Sequence, residues 1–370
     1  MSTVRLRPSV EPFPASTGDI YLLRSDGGDD VVLREADPFA RDLVEALTEG
    51  VRPAGRPELH AAIAQLDEAD LVWRSPLDPA PAGLSPTETL RYDRQLHYFC
   101  DQSSPGSSAG DMQLALRNAT VVVLGAGGLG SWTMAGLACA GVGRIVTVDD
   151  DTIELSNLNR QVLYRMSDIG RRKVDVAAEA LCGLNPEIEI VPVSRRIRSA
   201  ADVRSVAAGA DFVVCTADWP VHDISRWVNR ACLELGVPHT SAGQFPPRVR
   251  IGPTLVPGRT ACHACQERAI RREFPLYDEL IEQRKRTAPV AATLGAPSGL
   301  IGSLLAMEVI HWITGISEPA TLGRGLVFDL RDFSNHWESV EPDPDCELAC
   351  GRMAPCPPTT RRPLAGSRQR

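Results

Sequence analysis

Ala119-Thr-Val-Val-Val-Leu-Gly125-Ala-Gly-Gly-Leu-Gly130-Ser-Trp-Thr-Met-Ala-Gly-Leu-Ala-Cys139 decides how this chain folds. Val121 to Leu124 read as a strand that is apolar on both faces. Gly125, Gly127 and Gly130 come next at G-x-G-x-x-G spacing, with Gly128 inside the motif, and Ser131 to Cys139 read as the next helix. Glycines let the backbone turn tightly and approach a phosphate, and the helix start offers unpaired N–H groups and the positive end of its dipole. Alone the motif is weak. Its support is Asp149-Asp150-Asp151, at the end of the second strand roughly 20 residues on, where a carboxylate can bind ribose hydroxyls.

Outward from this stretch, RIVTVDD, RRKVDVAAEALCGLN, EIEIVPV, ADFVVCTAD and VPHTSAG alternate buried strands with helices. Uniformly apolar strands separated by helices predict a parallel sheet covered on both faces, a doubly wound α/β core of Rossmann type. Upstream the pattern changes. DIYLLRSDGGDDVVLR (19–34) predicts a hairpin around Ser-Asp-Gly-Gly. A helix behind an Asp37 cap comes after it, with Phe39, Leu43, Val44 and Leu47 on one face. Another carries Leu59, Ile63 and Leu66, and a strand runs from Asp70 to Trp73. The Pro-rich SPLDPAPAGLSP (75–86) reads as a linker. The expected organisation is therefore a small α+β module over 1–75, a linker over 76–87, the α/β domain over 88–352, and a disordered Pro-rich tail over 353–370.

With 370 residues, 43% of them hydrophobic, the chain can bury a full core. Its net charge of -8 argues against a nucleic-acid surface. Ser303, Glu308 and His311 interrupt the apolar stretch Gly299 to Ile313, so no membrane span is expected. The N-terminus lacks the apolar core of a signal peptide, and ten cysteines are too sparse for a disulfide scaffold, which points to the cytoplasm.

A dinucleotide dehydrogenase fits the glycine motif and acidic cluster equally well, but no hydride-transfer constellation is recognisable. The residues beyond the acidic cluster are more specific. The run Asp149-Asp-Asp-Thr-Ile-Glu-Leu-Ser-Asn157-Leu-Asn-Arg160-Gln161, then Lys173, then Thr216-Ala217-Asp218, with Arg91-Tyr92-Asp93-Arg94-Gln95 upstream, resembles the ThiF/MoeB branch of the ubiquitin-activating-enzyme superfamily over about residues 88 to 350. The resemblance implies adenylation of a carboxylate with ATP and Mg²⁺. Arg160 and Lys173 look like the cations that steady the triphosphate, as cleavage between α and β phosphates requires. Asn157 looks like a neutral donor, Gln161 like a phosphate contact, and Asp218 like the Mg²⁺ carboxylate. Asp149, beside Asp151, looks like the ribose ligand. Arg94 corresponds to an arginine that in relatives reaches the neighbouring subunit's ATP site, which implies a homodimer.

Cys262-His-Ala-Cys265 has zinc-knuckle spacing, and Cys346 and Cys350 lie near the end of the folded region. The resemblance implies a structural zinc on these four. The second pair has three residues between its cysteines, so Cys356 or His263 stay open as the fourth ligand. Cys100, Cys139, Cys182, Cys215 and Cys232 read as small buried hydrophobes. Phe274 to Pro289 reads either as a mobile loop over the active site or as a solvated helix.

Within the superfamily, residues 217 to 266 look closest to microcin-type enzymes, which adenylate the C-terminus of a ribosomal peptide and carry an N-terminal winged-helix-like peptide clamp. The expected substrate is thus a precursor peptide held by residues 1–75, in natural-product maturation. A Gly-Gly-ending sulfur-carrier protein and a non-catalytic peptide-delivery scaffold stay open as alternatives.

Overall fold

In the computed structural model, which describes residues 3–53, 56–74, 83–102, 108–287 and 292–356, the chain divides into two units, Met1–Leu114 and Ala115–Arg370. The first unit begins with strands β1 (Val4–Leu6), β2 (Val10–Pro14), β3 (Ile20–Arg24) and β4 (Val31–Leu33). Helices α1 (Pro38–Glu49) and α2 (Pro57–Glu68), strand β5 (Val72–Arg74) and helices α3 (Pro86–Arg91) and α4 (Asp93–Gln102) complete the series. The expected hairpin is β3–β4, and β2 extends it to an antiparallel sheet in the order β2-β3-β4. Strand β1 pairs with β5 as a second ribbon.

The Asp37 cap forms, its carboxylate accepting the Ala40 N–H at 2.7 Å. Leu43, Val44 and Leu47 are buried with Leu22, Leu59 and Ile63, but Phe39, in the first turn of α1, is 45% exposed and does not belong to the buried face. The unit runs beyond residue 75. Arg7 donates to the carbonyl oxygens of Cys100 and Asp101 at the end of α4 (3.0 and 2.8 Å), capping its negative pole. The Trp73 ring meets His97 of α4 edge-on at 5.1 Å. Most of the expected linker, and the tail beyond Cys356, lie outside the described residues. Helix α5 (Ala109–Asn118) spans the division between the units.

The second unit alternates as the sequence predicts: β6 (Thr120–Leu124), α6 (Gly128–Ala140), β7 (Arg144–Val148), α7 (Lys173–Leu184), β8 (Glu189–Val193), α8 (Ala200–Ala207), β9 (Phe212–Cys215), α9 (Asp223–Leu235) and β10 (His239–Phe245). After these come β11 (Arg248–Leu255), α10 (His263–Glu273), α11 (Tyr277–Thr287), α12 (Gly295–Thr314), β12 (Arg324–Asp329) and β13 (Asn335–Ser339). All eight strands form one sheet, ordered β8-β7-β6-β9-β10-β11-β12-β13. From β8 to β10 the pairing is parallel, and from β10 to β13 it is antiparallel. Helices α8 and α9 cover one face through Val203, Ala207, Val228 and Ala231, and α6, α7 and α12 cover the other. The strand order reverses between β6 and β9, so the crevice outside their carboxyl ends is where a ligand binds in such a sheet.

Helix α12 is long and apolar enough to cross a membrane by length and composition, yet half of it is buried here. Ile301, Leu305, Val309 and Ile313 form its buried stripe. Glu308, which interrupts the apolar run, is buried with them. Its carboxylate accepts the N–H groups of Ala320 and Thr321, both at 2.9 Å, and the hydroxyl of Thr254 at 3.2 Å. The charge thus serves as the anchor that joins α12 to β11 and to the turn before β12. Glu308→Ala is expected to leave these donors unpaired and lower stability by on the order of 3 kcal/mol, measured by urea unfolding.

Candidate nucleotide site and four-cysteine cluster

The glycine turn at the end of β6 is shaped by contacts that exclude side chains. Gly125 has φ +97°, and a Cβ there would lie 2.8 Å from the Ala217 nitrogen. A Cβ on Gly130 would lie 1.9 Å from the Gly125 carbonyl oxygen. Three residues hold this turn. Asp149, after β7, accepts the Ala126 N–H at 2.7 Å, and its other oxygen accepts the Asp151 N–H at 2.8 Å. Thr216, after β9, donates to the carbonyls of Leu124 and Gly125 at 3.0 and 2.9 Å. Tyr164 donates its hydroxyl to the Ala126 carbonyl at 2.7 Å.

Burial pushes the Asp149 carboxyl above its ordinary range, against the pull of Lys173 and the two N–H donors. Lys173 is itself buried at the start of α7, and its ammonium pairs with the more exposed Asp151 at 2.7 Å. Asn157 and Gln161 are also buried. The Asn157 side-chain oxygen caps the short 3₁₀ turn Leu155–Asn157 by accepting the Glu154 N–H at 3.0 Å. Gln161 faces Gly127, its amide nitrogen 3.8 Å from where a Cβ would be, and its oxygen is buried with no hydrogen-bond partner. The Arg160 stem lies 3.4 Å from the corresponding point on Gly128, while its guanidinium donates to the Ser156 carbonyl and the Asn159 side chain at 2.8 and 2.9 Å.

The structure therefore gathers Gly125, Gly127, Gly128, Gly130, Asp149, Asp151, Lys173, Arg160 and Gln161 around one turn, while Asn157 bonds to Glu154 at the cap of its own short 3₁₀ turn and to the backbone N–H groups of Arg160 and Gln161. Asp218 is exposed on the segment after β9, next to the Ala217 that abuts Gly125. Arg94 belongs to the first unit, its side chain 94% exposed beside Asp93. Sequence reasoning assigns no role to Tyr164 or Thr216. Both act by bracing the backbone, and no sequence motif marks that role.

The cysteines form a second centre. The sulfurs of Cys262, Cys265, Cys346 and Cys350 all lie within 4.8 Å of one another, and all four residues are buried. The distances 262–265, 262–346 and 265–350 are 3.8, 3.6 and 3.4 Å. A tetrahedron of zinc–sulfur bonds of about 2.3 Å has edges of roughly 3.8 Å, so the four thiols are compatible with zinc. Burial pushes the Cys350 thiol up to about 11 and Cys262 higher still, a penalty that a bound cation removes. Of the open candidates for fourth ligand, Cys350 occupies the cluster, and Cys356 is buried apart from it, its N–H on the Pro257 carbonyl. His263 turns its ring nitrogen toward Glu267 at 3.7 Å. Asp343 ties the two cysteine segments together, accepting from Arg268 and Arg272 of α10 at 3.0 and 2.6 Å.

Among the remaining cysteines Cys215 and Cys232 are buried as expected, Cys100 is half-buried, and Cys139 and Cys182 are exposed. These last two sit on α6 and α7 at positions whose apolar neighbours suggest burial. Of the stretch Phe274 to Pro289, a turn at 274–276 leads into α11, which is helical to Thr287 with Tyr277 and Ile281 buried.

A glycine turn at the switch point, with cations, amides and carboxylates near it, is the arrangement of a nucleotide-using α/β enzyme, and the relatives place its class among the adenylyltransferases. The model of the ThiF family matches residues 92–350. The SAMP-activating enzyme E1 of Haloferax volcanii is 34% identical over 274 residues, covering 72% of this chain and 91% of that protein. The molybdopterin-synthase adenylyltransferase of Escherichia coli is 31% identical, covering 73% of this chain and 100% of the relative. Among solved structures, E. coli MccB with AMPCPP and MccA superposes with a TM-score of 0.72 at 26% identity, covering 94% of this chain and 99% of that one. The chain belongs to the ThiF family, and it is an ATP-dependent adenylyltransferase.

Gly130→Ala is expected to weaken ATP binding at least about tenfold, because the turn must open to admit the methyl group. Gly183→Ala is the matched control: nothing beyond the surrounding helix backbone and its chain neighbours lies within 4 Å of its added carbon on α7. It should leave ATP binding intact and add about 0.5–1 kcal/mol of stability. Calorimetric titration with ATP and thermal unfolding check both. For the cluster, Cys350→Ser is expected to lose bound zinc and Cys356→Ser to retain it, as measured by metal analysis of the purified proteins.

Proposed function

We propose that the protein transfers AMP from ATP to the C-terminal carboxylate of a ribosomally made precursor peptide in natural-product maturation. A carboxylate oxygen attacks the α-phosphorus, the bond to the bridging oxygen breaks, and pyrophosphate leaves. The supporting observation is coverage. The two relatives named above from sequence, of Haloferax volcanii and Escherichia coli, cover 72 and 73% of this chain, whereas MccB covers 94%, which leaves too few residues outside the match for the first 75 to be unmatched. MccB, whose match is long enough to include the N-terminal unit, is a relative crystallised with MccA and a nucleotide analogue.

In this reading residues 1–75 are a winged-helix-like clamp for the peptide's leader. Among the described residues β2 and β4 are the outer strands of their sheet, and an extended peptide binds such an edge by main-chain hydrogen bonds. Arg160 and Lys173 offset charge on the triphosphate, Asn157 and Gln161 donate to it, and Asp149 takes the ribose. Lys173 can do so by sharing its charge between Asp151 and a phosphate. Mg²⁺ would be held by Asp218, and would neutralise the departing pyrophosphate. Arg94 would serve a second copy of the chain, making the enzyme a homodimer. Leu155, Val162, Met166 and Ile169 expose apolar side chains within one segment, as a subunit contact would require. The four cysteines would hold a structural zinc, and the cytoplasm is the compartment in which ten unpaired cysteines persist.

A second reading keeps the chemistry and replaces the peptide with a sulfur-carrier protein. It is favoured by the higher identity, 31–34% against 26%, to relatives named for carrier activation or molybdopterin synthase.

ATP/pyrophosphate exchange with candidate peptides and with a Gly-Gly-ending carrier separates these readings. Exchange with a peptide is the expected result; exchange with the carrier alone establishes the second. Asp218→Ala and Arg160→Ala should each abolish exchange with the fold intact, and near-normal turnover in both would remove the assigned roles.

A further inference from the structure

The segment that carries Asp218 runs from Thr216 to His222, between the end of β9 and the start of α9. Its first residue is bonded to the glycine turn. Its last, His222, is a non-glycine residue at φ +66°, a backbone conformation that surrounding contacts must hold in place. Those contacts come from α11 and from the first turn of α9. Asp223 accepts Lys285 of α11 at 2.8 Å and lies 3.8 Å from Arg226. The His222 ring meets Tyr277 of α11 edge-on at 6.4 Å.

Glu267 joins these groups. It is a 5%-exposed carboxylate on α10, five residues after Cys262 and two after Cys265 in the chain. Arg226 donates its Nε to both carboxylate oxygens at 2.9 and 3.1 Å, and the Tyr277 hydroxyl reaches it at 3.5 Å. Arg271 and His263 lie at 3.8 and 3.7 Å. The helix that begins on the cysteine cluster therefore grips, through one buried side chain, both elements that fix the far end of the Asp218 segment.

We infer that Glu267 is a positioning residue: through Arg226 and Tyr277 it holds the start of α9, and so sets where Asp218 stands relative to the glycine turn. The inference rests on the reading in which Asp218 serves the reaction. It also gives the cysteine cluster a task beyond local stability, since α10 is the base from which Glu267 reaches.

Glu267→Gln keeps the shape and removes the charge that two arginines and the tyrosine share. Arg226→Gln breaks the same link from the half-exposed side, and guards against misfolding of the first variant. Hydrogen exchange of the full-length protein, read by mass spectrometry, is the test. Both variants should accelerate exchange in 216–223 and 277–286 by about tenfold, with 120–130 unchanged and bound zinc retained. In the pyrophosphate-exchange assay both should lower kcat while leaving the KM for ATP near normal. Unchanged protection of 216–223 in both variants overturns the inference, as does uniform acceleration along the chain or loss of zinc, either of which makes Glu267 a structural residue. Absence of pyrophosphate exchange by the unaltered protein with every substrate would instead remove the functional reading and leave the hydrogen-exchange result standing.

Discussion

A single added carbon on Gly130 would fall 1.9 Å from the Gly125 carbonyl, and one on Gly125 would fall 2.8 Å from the Ala217 nitrogen. The turn between β6 and α6 thus closes only as bare backbone, and closing it aims the first N–H groups of α6 into the crevice where the strand order reverses. The rest of the site is arranged to keep it closed. Asp149, Thr216 and Tyr164 approach from three directions and bond to the turn's own amides and carbonyls. The close approach continues outward. Gly302 of α12 lies where a Cβ would be 2.9 Å from the Leu129 carbonyl, so a buried helix packs directly on the backbone of α6. Stiffness of this kind places phosphate ligands without reorganisation when nucleotide arrives.

How much of this is legible in sequence depends on whether a residue acts through its own pattern or through distant partners. The β6-turn-α6 unit, the acidic cluster after β7 and the parallel order of strands come from apolar runs and glycine spacing, which are local. The hairpin of 19–34 and the Asp37 cap are legible for the same reason. Strands β1 and β2 are not, because VRL and VEPFP are short and prolines stand beside or within them. The antiparallel extension β11–β13 is also hidden: β13 is exposed throughout and carries no apolar alternation. Phe39, Cys139 and Cys182 have the right neighbours for burial and lack it, since burial is decided by what the fold brings opposite them. Cys350 as fourth member of the cluster depends on a loop geometry in which Ala349 takes φ +50°, which spacing alone cannot specify.

Buried charge in the second unit is concentrated at joints between segments far apart in the chain. Glu308 links α12 to the turn before β12, Asp343 links α10 to the cysteine segment near residue 346, and Glu267 links α10 to α9 and α11. Each carboxylate has several donors, the condition under which a buried charge is tolerated and its removal is costly. Hydrophobic packing is nondirectional and cannot fix a helix start to a fraction of an ångström, whereas a carboxylate with two or three donors can. Of these joints, the one at Glu267 lies next to the Asp218 segment, through Arg226 of α9 and Tyr277 of α11.

The reacting groups themselves carry little information about the rest of the substrate. Adenylation needs a carboxylate oxygen in line with the α-phosphorus and charge compensation for pyrophosphate, and a peptide and a folded carrier protein present the same terminal group. Glycine turn, cations and carboxylates therefore cannot distinguish them, and relatives with different names each align with 72–73% of this chain. Discrimination has to come from surface that touches the substrate away from its C-terminus. In this chain the extra material is the first unit, with its three-stranded sheet and its ribbon bonded onto α4: residues 1–91 lie outside the ThiF-family match, whereas MccB covers 94% of the chain. Coverage of that unit is consequently a better guide to the substrate than percentage identity over the shared domain, whose residues answer to the chemistry common to both.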